Sequence, residues 1–238
     1  MATFLVAHGA WSAGWAWKKM RPLLRARGHE LFTPSHTGLG ERAHLGTPDT
    51  DLETHIADIL GVLQAEDLRN VILLGHSYGG MVATGVADRA RERIATLVYV
   101  DAFAPNDGES VFDLTPARRE AMLESVRQSG GGWKMPPGPM QPDTSQADLA
   151  WATPRRMPQP VKTFEQRLRL KKGPLTLPRH YIYCKRCRPD DGFRRFYERA
   201  KAEGWGNYEI DASHNPHITA PEALGAILER IAATIPGT

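Results

Sequence analysis

Cysteine is nearly missing: two in 238 residues, Cys184 and Cys187. That excludes a disulfide scaffold. As a lone C-x-x-C it also lacks the two further ligands that a zinc site would need. Cys184 closes the strand-like run YIYC rather than opening a helix, so two structural thiols in a reducing cytoplasm are expected. No window approaches the roughly 20 apolar residues of a membrane span. The opening MATFLVAHGA has neither a basic stretch nor a long apolar run, so no secretory signal is expected. An excess of one charge is lacking as well. The formal charge is +3, and the doublets Arg118-Arg119, Arg155-Arg156, Lys171-Lys172 and Arg194-Arg195 are dispersed. A nucleic-acid footprint would need a concentrated basic stripe. Neither nucleic acid nor membrane is therefore an expected partner. A small-molecule substrate is, and a homodimer stays open.

Short apolar runs alternate with amphipathic stretches. Strands are expected at Thr3–Ala7, Glu30–Thr33, Val71–Leu74, Ile94–Val100, His180–Cys184 and Tyr208–Ile210. Helices are expected at Trp15–Arg27, Leu52–Glu66, Gly80–Arg91, Asp191–Glu203 and Pro221–Ala233. Near-continuous apolar strands alternating with helices predict an α/β fold with a parallel sheet covered on both faces. The alternation stops between Pro105 and Pro178, where proline, glycine, arginine and methionine dominate. A loop that long without structure would be unusual. A helical cap over 105–178, with pieces at Pro116–Gln128 and Phe164–Leu168, is expected between core segments 1–104 and 179–238.

One stretch carries chemistry. VILLGHSYGGMV sets Gly75-His76-Ser77-Tyr78-Gly79 between a strand and a helix, the context a G-x-S-x-G turn requires. Small residues two before and two after the serine let strand and helix approach, and the serine is held strained at a helix N-terminus. Ser77 is the expected nucleophile, and the Tyr78 N–H one oxyanion donor. A serine nucleophile needs a base and an orienting acid, in the chain order Ser, acid, His. Three histidines follow: His180, His214 and His217. His180 opens a strand. His214 comes soonest after the last strand and is preferred over His217. The second oxyanion donor should come from the loop after the first strand, His8-Gly9-Ala10-Trp11, through the Ala10 N–H. Trp11 would line the pocket, whereas Trp15 and Trp17 read as packing. Trp133 and Trp151 are cap candidates for substrate binding, with Met135, Met140, Met157 and Phe164. The alternative for these residues is the cap's own small core.

LVAHGAWSAGWAWKKMRPLLRARGHELFTPSHTGLGER, LLGHSYGGMV, LVYVDAFAP and SHNPHITAPEAL together resemble the α/β-hydrolase superfamily. The nearest branch is that of plant methylesterases, hydroxynitrile lyases and bacterial esterase relatives. The resemblance implies an α/β-hydrolase core without the two leading antiparallel strands, a cap, no cofactor and no metal, and Ser-His-acid catalysis. The acid departs from that pattern. The plant position falls near Cys187, with Asp190 and Asp191 just beyond and better suited to capping a helix. Asp101 ends the strand after the serine turn, where some haloalkane dehalogenases keep their acid. It is preferred because a carboxylate there must be paired; Asp190 and Asp191 stay open. Lyases of this branch carry a threonine and a lysine where this chain has Ala10 and Asn215. The expected function is therefore hydrolysis of a carboxylic ester or lactone of a small apolar or aromatic molecule. The alternatives are acyl transfer or cyclisation on a polyketide-like substrate, lyase chemistry, and a non-catalytic ligand receptor.

Overall fold

The computed structural model describes residues 1–186 and 191–236. Six strands form one parallel sheet: β1 (Thr3–Ala7), β2 (Glu30–Phe32), β3 (Val71–His76), β4 (Ile94–Val100), β7 (Arg179–Cys184) and β8 (Gly206–Ile210), in the order β2-β1-β3-β4-β7-β8. The strand side chains alternate between two cores, as a pleat requires. Leu5, Leu73, Leu97 and Tyr181 join one cluster with residues of α2 (Leu52–Ala65), α3 (Gly79–Arg89) and α8 (Arg194–Ala202). Phe4, Ile72, Val98 and Ile182 join the other, with residues of α1 (Met20–Ala26), α9 (Pro216–Thr219) and α10 (Pro221–Ala232). All six residues of β3 are buried, which explains the continuous apolar run Val71–Leu74.

Between β4 and β7 lie α4 (Val111–Leu114), α5 (Pro116–Ser129), α6 (Gln146–Ala152), α7 (Lys162–Glu165) and a two-residue antiparallel pair, β5 (Lys134–Met135) with β6 (Gln159–Pro160). The C-terminal part of this segment is tied back to the core by two buried or capping carboxylates. Asp51 caps α2 by accepting the Thr54 N–H at 2.9 Å, and its other oxygen accepts from Gln166 Nε2 at 2.7 Å. Asp88, wholly buried on α3, accepts the backbone N–H groups of Lys171 and Lys172 at 2.6 and 3.0 Å.

Several expected elements differ in extent. The helix expected over Trp15–Arg27 is a 3-10 turn, Gly14–Trp17, followed by α1. Pro22 explains the break, because deep inside one long helix its ring would strike a carbonyl, whereas near the start of α1 it costs no bond. The piece expected at Phe164–Leu168 ends at Glu165, because Leu168 is drawn into backbone bonds with Glu109 and Gly108. Helix α8 starts at Arg194 rather than Asp191, whose carboxylate holds the preceding turn by accepting the Phe193 N–H at 2.9 Å.

The start of α3 is pressed onto the carboxyl edge of the sheet. A Cβ at Gly79 would lie 2.0 Å from the Ala7 carbonyl oxygen, and one at Gly80 1.9 Å from that of Phe103. Both obstacles are backbone and cannot rotate away. Gly80→Ala is therefore expected to cost about 3 kcal/mol or more. Gly61→Ala, in open space on α2, should instead gain roughly 0.5–1 kcal/mol from helix propensity. Thermal or urea melts of the two variants check the pair.

Candidate active site

Ser77 sits between β3 and α3 with φ +54°, in the left-handed region. Its N–H donates to the Val100 carbonyl at 3.3 Å, and its carbonyl accepts from Gly80 and Phe103, both at 3.1 Å. The turn is thus anchored to the end of β4. Asp101, the next residue after β4, also has positive φ, +43°, and its N–H donates to the Ile182 carbonyl at 2.8 Å. That kink turns its side chain into the molecule, where it is only 3% exposed.

His214, on the loop after β8, joins the two. Its Nδ1–H donates to Asp101 Oδ2 at 2.7 Å, and its Nε2 accepts the Ser77 hydroxyl at 2.8 Å. The other Asp101 oxygen accepts the Cys184 N–H at 3.3 Å. Burial pushes the Asp101 carboxyl above the usual carboxylate range, against the lowering effect of the His214 hydrogen bond. Three further contacts hold His214 and its loop. Phe193 stacks on it, centroids 4.9 Å apart and 12° from parallel. His76 Nε2–H donates to the His214 carbonyl at 2.7 Å. Asp143 accepts both the N–H, at 3.0 Å, and the hydroxyl of Ser213.

On the other side of Ser77 runs the loop after β1. A Cβ on Gly9 would stand 3.2 Å from the Ser77 Cβ, so the loop touches the serine. The next backbone N–H is that of Ala10. Neither it nor the Tyr78 N–H donates to a protein acceptor among the described residues. Two free donors beside a hydroxyl at a helix start can receive negative charge on an oxygen.

Histidine surrounds this arrangement. Burial lowers His8 and His55 to about 4, His217 to about 3, and His36 and His76 well below 6.5. No metal-holding group of His, Cys, Asp and Glu occurs among the described residues.

The family model described as the alpha/beta hydrolase family matches residues 4–227. The chain belongs to that family. It is 39% identical over 246 residues to a carbendazim hydrolyzing esterase of Nocardioides sp. (strain SG-4G), across 98% of this chain and 99% of that protein. Salicylic acid-binding protein 2 of Nicotiana tabacum is 34% identical over 107 residues, 43% of this chain and 40% of the relative. Among solved structures, an extracellular alpha/beta-hydrolase from a Paenibacillus species superposes with a TM-score of 0.84 at 28% identity, covering 97% of this chain and 98% of that one.

Of the residues singled out by sequence, Ser77, Asp101, His214, Ala10 and Tyr78 meet at one place. Trp11 stands beside them with φ +58°. Its N–H donates to Gln159 Oε1 at 3.2 Å and its indole N–H to the Met135 carbonyl at 2.8 Å, so it links the β1 loop to the 105–178 segment. Trp133 lines a separate cavity of about 300 Å³ with Pro48, Leu123 and Val161, a lining that includes none of Ser77, Asp101 and His214. Trp151 packs edge-on against Trp15 at 5.3 Å. Asp191 accepts the Tyr183 hydroxyl at 2.6 Å and is not bonded to His214; Asp190 lies outside the described residues. His217 is buried and stacked on Trp17 at 4.6 Å, and His180 is buried in β7. Sequence reasoning missed Phe193 and Asp143, which reach the His214 loop only through folding. The hydrophobic position of Phe193 at a helix start was its one available signal.

Asp143→Ala should free the Ser213–His214 backbone and lower turnover about 5–50-fold with a smaller effect on stability. Steady-state kinetics beside a thermal melt separate the two effects. These five histidines, with His180, which burial also lowers, fix the acid behaviour. Between about pH 6.5 and pH 4 the unfolded chain takes up protons that the folded one refuses, so stability falls as pH falls. The slope is roughly 1.4 kcal/mol per pH unit for each such histidine. Asp101, raised instead, works in the opposite sense but is one group against six. Urea titrations at pH 8, 6.5, 5.5 and 4.5 should show the midpoint dropping steeply below pH 6.5; a flat profile would contradict this.

Proposed function

We propose that the protein is a serine ester hydrolase that uses Ser77, His214 and Asp101 as its catalytic triad. The observation that carries this reading is the unbroken hydrogen-bonded chain from the Ser77 hydroxyl through His214 to the Asp101 carboxylate. Ser77 Oγ attacks the substrate carbonyl as its proton passes to His214 Nε2. Asp101 fixes the tautomer and stabilises the imidazolium. The oxyanion is received by the Ala10 and Tyr78 N–H groups, each such donor being worth about 3–4 kcal/mol. His214 then protonates the leaving alcohol, and water activated by the same imidazole releases the acid from the acyl-enzyme.

The 105–178 segment is read as a cap over this centre, held by Asp51, Asp88 and Trp11. Aromatic rings converge near the serine: Phe164 lies 5.5 Å from Tyr78 and 5.8 Å from Trp11, and Phe193 covers His214. Such walls favour a small ester with an apolar or aromatic part. The name of the full-length Nocardioides relative, a carbendazim hydrolyzing esterase, agrees with that choice. A carboxylate already engaged by the histidine favours hydrolysis over the receptor reading.

The test is a fluorophosphonate followed by intact mass, beside a panel of p-nitrophenyl esters, methyl esters, lactones and carbendazim. Wild type should gain one adduct and Ser77→Ala none. His214→Ala and Asp101→Asn should each lose about 10³–10⁴-fold in kcat. Asp191→Asn should stay within about 10-fold of wild type. A folded wild type that takes no label would overturn the hydrolase reading.

A further inference from the structure

Behind the serine turn lies a stack of imidazoles that the triad does not use. The rings of His8 and His36 lie 3.9 Å apart and 29° from parallel, and those of His36 and His55 4.6 Å apart and 22° from parallel. All three residues are completely buried. Buried polar rings cost free energy unless bonded, and neither ring nitrogen of His36 has a partner among the described residues. Phenylalanine or leucine would fill this space at lower cost, so packing alone does not account for the choice of residue.

The outer rings supply a reason. His8 Nδ1–H donates to the Gly9 carbonyl at 2.9 Å, while its Nε2 accepts the His36 backbone N–H at 3.0 Å. The Gly9 carbonyl and the Ala10 N–H belong to one peptide group. That group is planar and trans, so fixing the direction of its carbonyl fixes the N–H in the opposite direction. A hydrogen bond at the carbonyl also polarises the amide and strengthens its N–H as a donor. At the far end of the stack, His55 Nε2–H donates to the Thr37 carbonyl at 2.9 Å, and Nδ1 accepts the Tyr78 hydroxyl at 2.9 Å. Tyr78, itself wholly buried, carries the other free N–H. One continuous element therefore runs from the first donor peptide to the residue bearing the second.

We propose that His8, His36 and His55 are positioning residues for the oxyanion hole: stacked as neutral rings, they hold the Ala10 and Tyr78 N–H groups at a fixed separation from behind. This rests on the hydrolase reading above. His8 aims one donor, His55 anchors the side chain of the other, and His36 sets the spacing between them through its two ring faces. The bonds require neutral rings, since His8 Nε2 and His55 Nδ1 both act as acceptors.

The experiment compares His8→Phe, which fills the volume without the bond to Gly9, with His8→Asn, whose amide N–H can donate in place of Nδ1. With p-nitrophenyl butyrate, His8→Phe should lose about 10–100-fold in kcat while KM stays within about three-fold, because the lost stabilisation belongs to the transition state. His8→Asn should recover most of that loss. A merely structural role would lower the melting temperature of both variants alike and leave kcat in place. At the other end, His55→Phe and Tyr78→Phe both break the His55–Tyr78 bond, and His55→Phe also loses the Thr37 bond; each should lower kcat about 5–50-fold, and this pair decides the matter if His8→Phe does not fold. Fluorophosphonate labelling of wild type keeps the two readings apart. No adduct on wild type would overturn the hydrolase reading and this proposal with it. A normal adduct, together with wild-type kcat in folded His8→Phe or in His55→Phe, or with no recovery in His8→Asn, would overturn the positioning role alone.

Discussion

A carboxylate at the buried end of a central strand is the constraint on which the rest depends. Asp101 is almost without solvent, and the ionised form of such a group persists only if it is paired and hydrogen-bonded. The His214 Nδ1–H and the Cys184 N–H meet that need, and each imposes a demand on the fold. Cys184 must end a strand beside β4, which the order β4-β7 provides. His214 must arrive from beyond β8 with its ring already turned, and Phe193, His76 and Asp143 restrict it to one orientation. Once Nδ1 is committed to the carboxylate, Nε2 is left as an acceptor, and the serine hydroxyl is the group it meets. The polarity of the whole chain follows from that one buried charge.

What was legible in the sequence was local. The glycines around Ser77 report a close approach that only a missing Cβ permits, and His8-Gly9 after an apolar run marks the loop that closes on it. Asp101 could be read because a charged residue closing an otherwise apolar strand demands an explanation. Asp190 and Asp191 stayed open beside it, because a carboxylate just past a strand can either serve a histidine or cap the helix that follows. For Asp191 the answer lies in what its carboxylate meets after folding, the Tyr183 hydroxyl and the Phe193 N–H. Asp143 and Ser213 are 70 residues apart, and no spacing or periodicity joins them. Trp11, Trp133 and Trp151 drew attention alike in the sequence, yet of these three Trp11 is the one bonded across the junction between the β1 loop and the intervening segment.

The histidines show the same limit in another form. His8, His36 and His55 stand on a strand end, a loop and a helix, with nothing in their spacing to associate them. Only the sheet order that sets β1 between β2 and β3, with α2 laid across that face, stacks their rings. Their neutrality is a property of the folded state, since each would titrate near 6.5 in an open chain. The tertiary structure thus creates not only the contacts but the protonation states on which those contacts rely.

Among the described residues, five non-glycine positions adopt positive φ, and three of them, Trp11, Ser77 and Asp101, border a single point. Each such residue forfeits roughly 1–2 kcal/mol relative to glycine in the same conformation. The molecule is therefore less robust than its own backbone would allow, and the deficit is concentrated where the hydroxyl, the carboxylate and the indole must each be presented. A breeder selecting only for heat resistance would be drawn to glycine at these three places, and would obtain a sturdier protein with nothing left to offer a substrate.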